Sequence, residues 1–190
     1  LTDWIDEFMS LTEGIRSPES FRLWTAITTI SSVLERRVWI ETDQDRLYPN
    51  MYTILSGGPA SGKTLMVTFA KRLLAKLAGP VGIFLGPDNP SPAAFLDYLE
   101  KSTKMSINGM GMDMYSAMSV MCMELGVLIS KYDKDFVANL TTLYDNPDTF
   151  DAPRRVSKSI NVEAPTVNIL AAATPDAIGD IIPESAWGQG

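Results

Sequence analysis

The sequence contains no histidine among its 190 residues. That absence removes a Ser-His-Asp triad, a His-ligated metal and imidazole proton transfer. Cys122 is the only cysteine, which excludes an internal disulfide and any multi-cysteine zinc site. Its apolar surroundings read as those of a buried, inert thiol. Positive charge is short as well: 16 Lys and Arg stand against 23 Asp and Glu, a net charge of −7. This balance argues against coating nucleic acid by bulk electrostatics, while leaving room for a local basic element. No apolar run approaches the roughly 20 residues of a membrane span, so no membrane partner is expected. Leu1 to Phe8 is acidic where a signal peptide would be basic, which points to a cytoplasmic location. The chain begins with Leu rather than Met, which suits a piece of a longer protein.

What is present starts with Gly57-Gly58-Pro59-Ala60-Ser61-Gly62-Lys63-Thr64, a match to the pattern G-x-x-x-x-G-K-[ST]. The pattern counts only between a buried strand and a helix. Met51 to Leu55 is a short apolar run with β-branched and aromatic members, and Leu65 to Ala78 carries apolar residues at helical spacing. The glycines let the backbone curl so that successive N–H groups point at phosphate oxygens. Lys63 would reach the β- and γ-phosphates, the Thr64 hydroxyl would ligate Mg²⁺, and the helix adds its positive dipole end. A plain Gly/Pro turn is the competing reading. The expected ligands are ATP and Mg²⁺.

Around this loop the chain alternates short apolar runs with helical stretches. Ser17 to Arg37 reads as a helix, and Val38 to Thr42 as strand-like. Gly79-Pro80 is expected to end the helix of the nucleotide loop. Val81 to Leu85 then reads as a second buried strand, and Ser91-Pro92 caps a helix through Glu100. Gly109 to Glu124 holds Met110, Met112, Met114, Met118, Met121 and Met123. A thioether site for Cu(I) is one reading of these; gap-filling core and mobile loop are the other. Met118 to Met123 reads as a buried strand ending in Glu124, Asp135 to Tyr144 as a helix, Val156 to Val162 as a strand and Val167 to Ala173 as another buried strand. The expected fold is therefore α/β, a mostly parallel sheet with helices on both faces. Ligands in such sheets bind beyond the carboxyl ends of the strands. Gly57, Glu124 and Thr174 each follow such an end. Residues 1–47 read as a helical lead-in packed on the core, and 48–190 as the ATPase core, cut short at its C-terminal end.

The layout from Trp24 to Gly190 resembles the P-loop ATPase domains of phage and mobile-element replication proteins. The stretches that carry the likeness are the nucleotide loop, Leu47-Tyr48-Pro49-Asn50, Glu124-Leu125-Gly126, Asn139-Leu140-Thr141 with Leu143-Tyr144-Asp145, and Ala172-Ala173-Thr174-Pro175-Asp176. The resemblance implies an additional-strand P-loop NTPase core of the AAA+ or RecA-like kind, working as an oligomeric ring on single-stranded or duplex DNA. For a phage-encoded protein, the compartment would be the bacterial host's cytoplasm. It implies Glu124 as the base for water, with a water-mediated hold on Mg²⁺, and Thr174 as a γ-phosphate sensor. Met123 occupies the position where such ATPases usually carry an Asp for Mg²⁺. Glu124 could instead cap the next helix, and Thr174 could form an ST-turn or N-cap. Asp113 and Asp145 are the next candidates for a base.

Arg154-Arg155-Val156-Ser157-Lys158 concentrates positive charge just before the last strand, where helicase-type motors place a basic hairpin. Arg155 and Lys158 are thus candidate DNA contacts, against the plainer reading of a solvated hairpin. No clear arginine finger follows before Gly190. A DNA replication helicase or primase-helicase motor is the leading expectation. A protein-remodelling, packaging or defence ATPase and a small-molecule kinase are the alternatives.

Overall fold

The computed structural model describes residues 3–43, 45–108, 111–131, 133–152 and 159–181. In chain order, helix α1 (Trp4–Leu11) is capped by the Asp3 carboxylate, which accepts from the Ile5 N–H, and helix α2 (Glu19–Leu34) follows Pro18. Strands β1 (Ile40–Glu41) and β2 (Arg46–Leu47) form a small antiparallel pair. Strand β3 (Tyr52–Ser56) leads through the glycine-rich loop into α3 (Lys63–Val81), and α4 (Pro92–Lys101) starts at the Ser91 cap. Then come β4 (Thr103–Asn108), β5 (Gly111–Cys122), α5 (Leu125–Leu128) and α6 (Lys134–Tyr144). The described chain closes with β6 (Thr149–Ala152), β7 (Ile160–Glu163), β8 (Pro165–Ala173) and α7 (Pro175–Ile181).

The main sheet has four strands in the order β3-β8-β5-β4. This overturns the expected mostly parallel P-loop NTPase sheet. Strand β8 runs parallel to both β3 and β5, but β4 is antiparallel to β5. Two further antiparallel pairs, β1-β2 and β6-β7, stand outside the main sheet. The physical reason lies in residues 103–116. The loop read at the start of the methionine stretch is instead paired strand, β5 from Gly111 lying antiparallel to β4 with Met105 opposite Met114 and Thr103 opposite Ser116, while Met118 and Met121 do fill the core. The second parallel strand expected at Val81 to Leu85 is not formed. Helix α3 continues through Gly79 and Pro80 to Val81 and is closed by Gly82 in the left-handed region at φ 74°, whose N–H bonds the Ala78 carbonyl at 3.0 Å. Residues 84–86 meet the sheet at one point, the parallel bridge of Leu85 to Ser119, where Ser119 N–H donates to the Phe84 carbonyl and Gly86 N–H to the Ser119 carbonyl, both at 2.9 Å.

Helices cover both faces of the main sheet. On one, Phe8 of α1, Ala26 of α2 and Met66, Val67, Ala70 and Leu74 of α3 pack on Leu55, Met121, Leu170 and Ala172. On the other, Phe95, Leu99, Leu125, Phe136, Leu140 and Ile181 pack on Met118, Val120, Val167, Ile169 and Ala171. Alternate residues of β8 feed the two cores, and the whole strand is buried, as a central strand covered on both sides requires.

Polar groups fix the register. The Asn168 side chain, buried in β8, accepts from the Met51 N–H at 2.9 Å and from the Ser31 hydroxyl, tying α2 and β3 to the central strand. At the far end of α2, buried Glu35 accepts from Lys104 at 2.7 Å and Tyr115 at 2.9 Å, pinning the β4–β5 hairpin. These bonds satisfy a carboxylate that would be costly to bury alone. Residues 3–34 are thus woven into the core around β3 and α3.

Candidate functional site

The glycine-rich loop is built on the last rung of the sheet. Strand β3 pairs with β8 through Ser56 and Ala173, and the next amide, Gly57 N–H, donates to the Ala173 carbonyl at 3.1 Å. The loop then turns on two residues in the left-handed region, Ala60 at φ 59° and Gly62 at φ 85°. Left- and right-handed residues in alternation make a concavity lined by N–H groups. Gly62 is the N-cap of α3 and offers no side-chain cap, so the first amides of a 19-residue helix stay available to an anion. Glycine is required here twice over: by its φ, and because a Cβ would run into the Arg16 carbonyl oxygen and lie 2.8 Å from Ser17 Cα. A Cβ at Gly57 would meet Ser61 Oγ at 2.8 Å.

The charged end of the loop turns back on itself. The Lys63 ammonium donates to the Gly58 carbonyl at 2.8 Å, and Thr64 beside it is exposed. Ser61 Oγ is buried and has no hydrogen-bond partner among the described residues. An orphaned hydroxyl beside the uncapped first amides of α3 fits a polyphosphate guest, which supplies acceptors for both.

Three parallel strands end together beside this loop. Gly57 follows the Ser56–Ala173 pair, Thr174 follows the same pair, and Glu124 lies two residues past the Cys122–Ala171 pair. The three residues therefore sit within about one residue of the same level, on strands about 4.8 Å apart, with Thr174 between the other two. No protein-family model matches this chain, and no curated protein matches it. The reading of the site rests on its own geometry.

Glu124 occupies the N-cap position of α5, but its carboxylate makes no capping bond. The capping alternative is met by the backbone instead: the Glu124 carbonyl accepts from Val127 N–H at 3.0 Å and from the Cys122 thiol at 2.9 Å. The exposed carboxylate is left available. Thr174 follows its competing reading in part, because its hydroxyl oxygen accepts the Ala177 N–H at 3.3 Å at the start of α7. That contact uses a lone pair and leaves the hydroxyl proton to donate elsewhere.

Sequence reasoning missed a carboxylate here. Asp88 lies three residues past the Leu85–Ser119 bridge and pairs with Lys71 of α3. Burial pushes the Cys122 thiol upward, and the negative fields of Asp88 and Glu124 add to the rise. Both carboxylates therefore bear on the end of β5, next to the exposed Met123. The only sequence signal for Asp88 was its place after an apolar run, in Leu85-Gly86-Pro87-Asp88.

The reserve candidates for a base lie elsewhere. Asp113 pairs with Ser106 in the hairpin, nine residues before Cys122, a distance of about 30 Å along the strand. Asp145 caps the C-terminus of α6 next to Tyr144, whose ring meets that of Tyr52 at 5.1 Å, at the opposite end of β3 from Gly57. Arg154, Arg155 and Lys158 lie outside the described residues. Among the described residues no group of three or more Asp, Glu or Cys side chains could hold a metal ion, and no helix is long and apolar enough to cross a membrane. Of the loop residues, the exposed Thr64 carries the hydroxyl that could hold a magnesium ion, a site that water and phosphate oxygens would complete.

Proposed function

We propose that this chain is an ATP-binding and ATP-hydrolysing motor domain, of the kind that drives phage-type DNA replication helicases or primase-helicases. One observation carries the reading. A glycine-rich loop with Lys63 and Thr64, a free carboxylate at Glu124 and a hydroxyl at Thr174 meet at the same edge of three parallel strands.

In this reading the loop from Gly57 to Thr64 cradles the phosphates through the amides of Gly62, Lys63 and Thr64, and Lys63 leaves the Gly58 carbonyl for the β- and γ-oxygens. When bound near Thr64, Mg²⁺ supplies charge neutralisation to the same oxygens. The Glu124 carboxylate orients a water and accepts its proton as the water oxygen bonds to the γ-phosphorus. The bond from that phosphorus to the β–γ bridging oxygen breaks, leaving ADP and phosphate. Thr174 donates its hydroxyl proton to the γ-phosphate, so occupancy of that position is felt at the start of α7. Asp88 is the nearest candidate for the acidic partner that Met123 does not provide.

The acidic balance, −7 overall, favours a second reading: a nucleotide-gated domain that remodels a protein partner. ATP turnover with and without single-stranded or duplex DNA separates the two. The motor reading expects stimulation by DNA in the ring-forming protein. It also expects loss of that stimulation, with assembly intact, when Arg155 and Lys158 are both changed to Ala. Hydrolysis indifferent to every nucleic acid would instead favour the remodelling reading.

A further inference from the structure

We propose that the connection between α1 and α2 forms a wall of the nucleotide site and that Arg16 is a second cation contacting the phosphate chain. The inference rests on the nucleotide-binding reading of the loop.

The α1–α2 connection lies directly on the loop. The Arg16 carbonyl and the Ser17 Cα and Cβ occupy the space a side chain at Gly62 would need, with the two Ser17 carbons 2.8 and 2.9 Å from such a Cβ. Gly62 is also the residue from which α3 starts. From the same side, Phe21 of α2 comes within 3.3 Å of a Cβ built at Gly57. Segments distant in sequence are thus packed against both ends of the loop, by the Phe21 ring at its start and by the Arg16–Ser17 backbone at its end.

This contact is close but not hydrogen-bonded through its hydroxyls. Ser17 Oγ and Ser61 Oγ, one on each side of it, are both buried and have no partner among the described residues. Native interiors leave few such groups unpaired, and each that remains calls for a partner such as water or a bound anion. Nothing in the described chain uses these two.

Arg16 itself is exposed and makes no hydrogen bond, ion pair or ring contact among the described residues. Glu13 and Glu19 stand three positions to either side in sequence, and it pairs with neither. Its backbone carbonyl lies against Gly62, so the side chain is carried by the segment that walls the glycine-rich loop, and a planar five-donor fork matches phosphate oxygens. Lys63 would then hold the phosphates from within the loop and Arg16 from outside it.

The test is calorimetric titration of the full chain with Mg-ATP, ADP and AMP, comparing wild type with Arg16→Ala and Arg16→Lys. Thermal melting of each variant checks that the fold is kept. Removing one charge-assisted phosphate contact is expected to weaken Mg-ATP binding about tenfold or more. Arg16→Lys should recover part of the loss, and the loss should be smaller for AMP than for ATP. Equal losses for ATP and AMP would place the contact on the nucleoside or its first phosphate and overturn the assignment to the phosphate chain beyond it. Unchanged ATP affinity in Arg16→Ala, with Lys63→Ala still weakening it, overturns this inference alone. A wild-type chain that binds no nucleotide overturns it together with the reading it rests on.

Discussion

The Gly57 amide donates to the Ala173 carbonyl at 3.1 Å, so the first residue of the loop and the last residue of the central strand share a hydrogen bond. Thr174 is the next residue along. A shift of the loop therefore pulls directly on the strand end that carries the proposed sensor. The loop is fixed on its other side by the Arg16–Ser17 backbone against Gly62.

Gly62→Ala tests that clamp. The substitution places a β-carbon at φ 85° and drives it into the Arg16 carbonyl. The expected cost is about 2 kcal/mol or more from the left-handed backbone and the forced displacement together. For a domain of this size that is a fall in melting temperature of about 4–8 °C. A variant melting like the wild type would show that the α1–α2 connection does not constrain the loop.

Glu124→Gln keeps the size and hydrogen bonding of the side chain and removes the base. Because the carboxylate makes no capping bond to α5, the fold should tolerate the change. In the assembled protein ATP binding is expected to persist while turnover falls by roughly two orders of magnitude. An unchanged rate would move the base to Asp88, the other carboxylate at that end of β5; Asp113 and Asp145 stand too far away.

Alkaline pH should loosen the fold. Burial raises the Cys122 thiol above its ordinary 9.0, and burial likewise raises the Tyr52 and Tyr115 hydroxyls above 10.0. The folded chain then holds these protons more tightly than the unfolded one. Their contribution is fully present below about pH 9 and is lost as pH climbs through 9 and 10. Urea midpoints measured at about pH 8 and about pH 10.5 should fall with pH, and Tyr52→Phe should flatten the fall. A midpoint that holds steady across that range would contradict the burial account.

The strand–loop–helix unit and the central strand were legible because their signals are local. A short apolar run, glycines at set offsets and helical spacing from Leu65 are all contained within about thirty residues. Val167 to Ala173 reads as a buried strand because it has no polar face beyond Asn168; its central place comes from the pairing. The hairpin of Thr103 to Ser116 was missed because its methionines masked an alternating pattern. Its local signal is the dipeptide Asn108-Gly109, two residues that favour a tight hairpin turn. The end of α3 was misplaced because Pro80 falls in the last turn, where one lost hydrogen bond is tolerated. The Arg16–Gly62 contact and the Ser31–Asn168 bond, made by residues 137 apart in sequence, had no local signature at all. The placement of Glu124 and Thr174 beside the loop followed from strand ends; Asp88 and Arg16 needed tertiary contacts to be seen.

The most direct test of the account is a calorimetric titration of this chain with ATP and Mg²⁺, set against the same titration of Lys63→Ala. Lys63 is held by a single bond to the Gly58 carbonyl, so its loss should leave the fold intact. The account predicts saturable binding by the wild type and affinity roughly ten- to a hundredfold weaker in the variant, the worth of one charge-assisted phosphate contact. Equal affinity in the two proteins, or no binding to either, would contradict it.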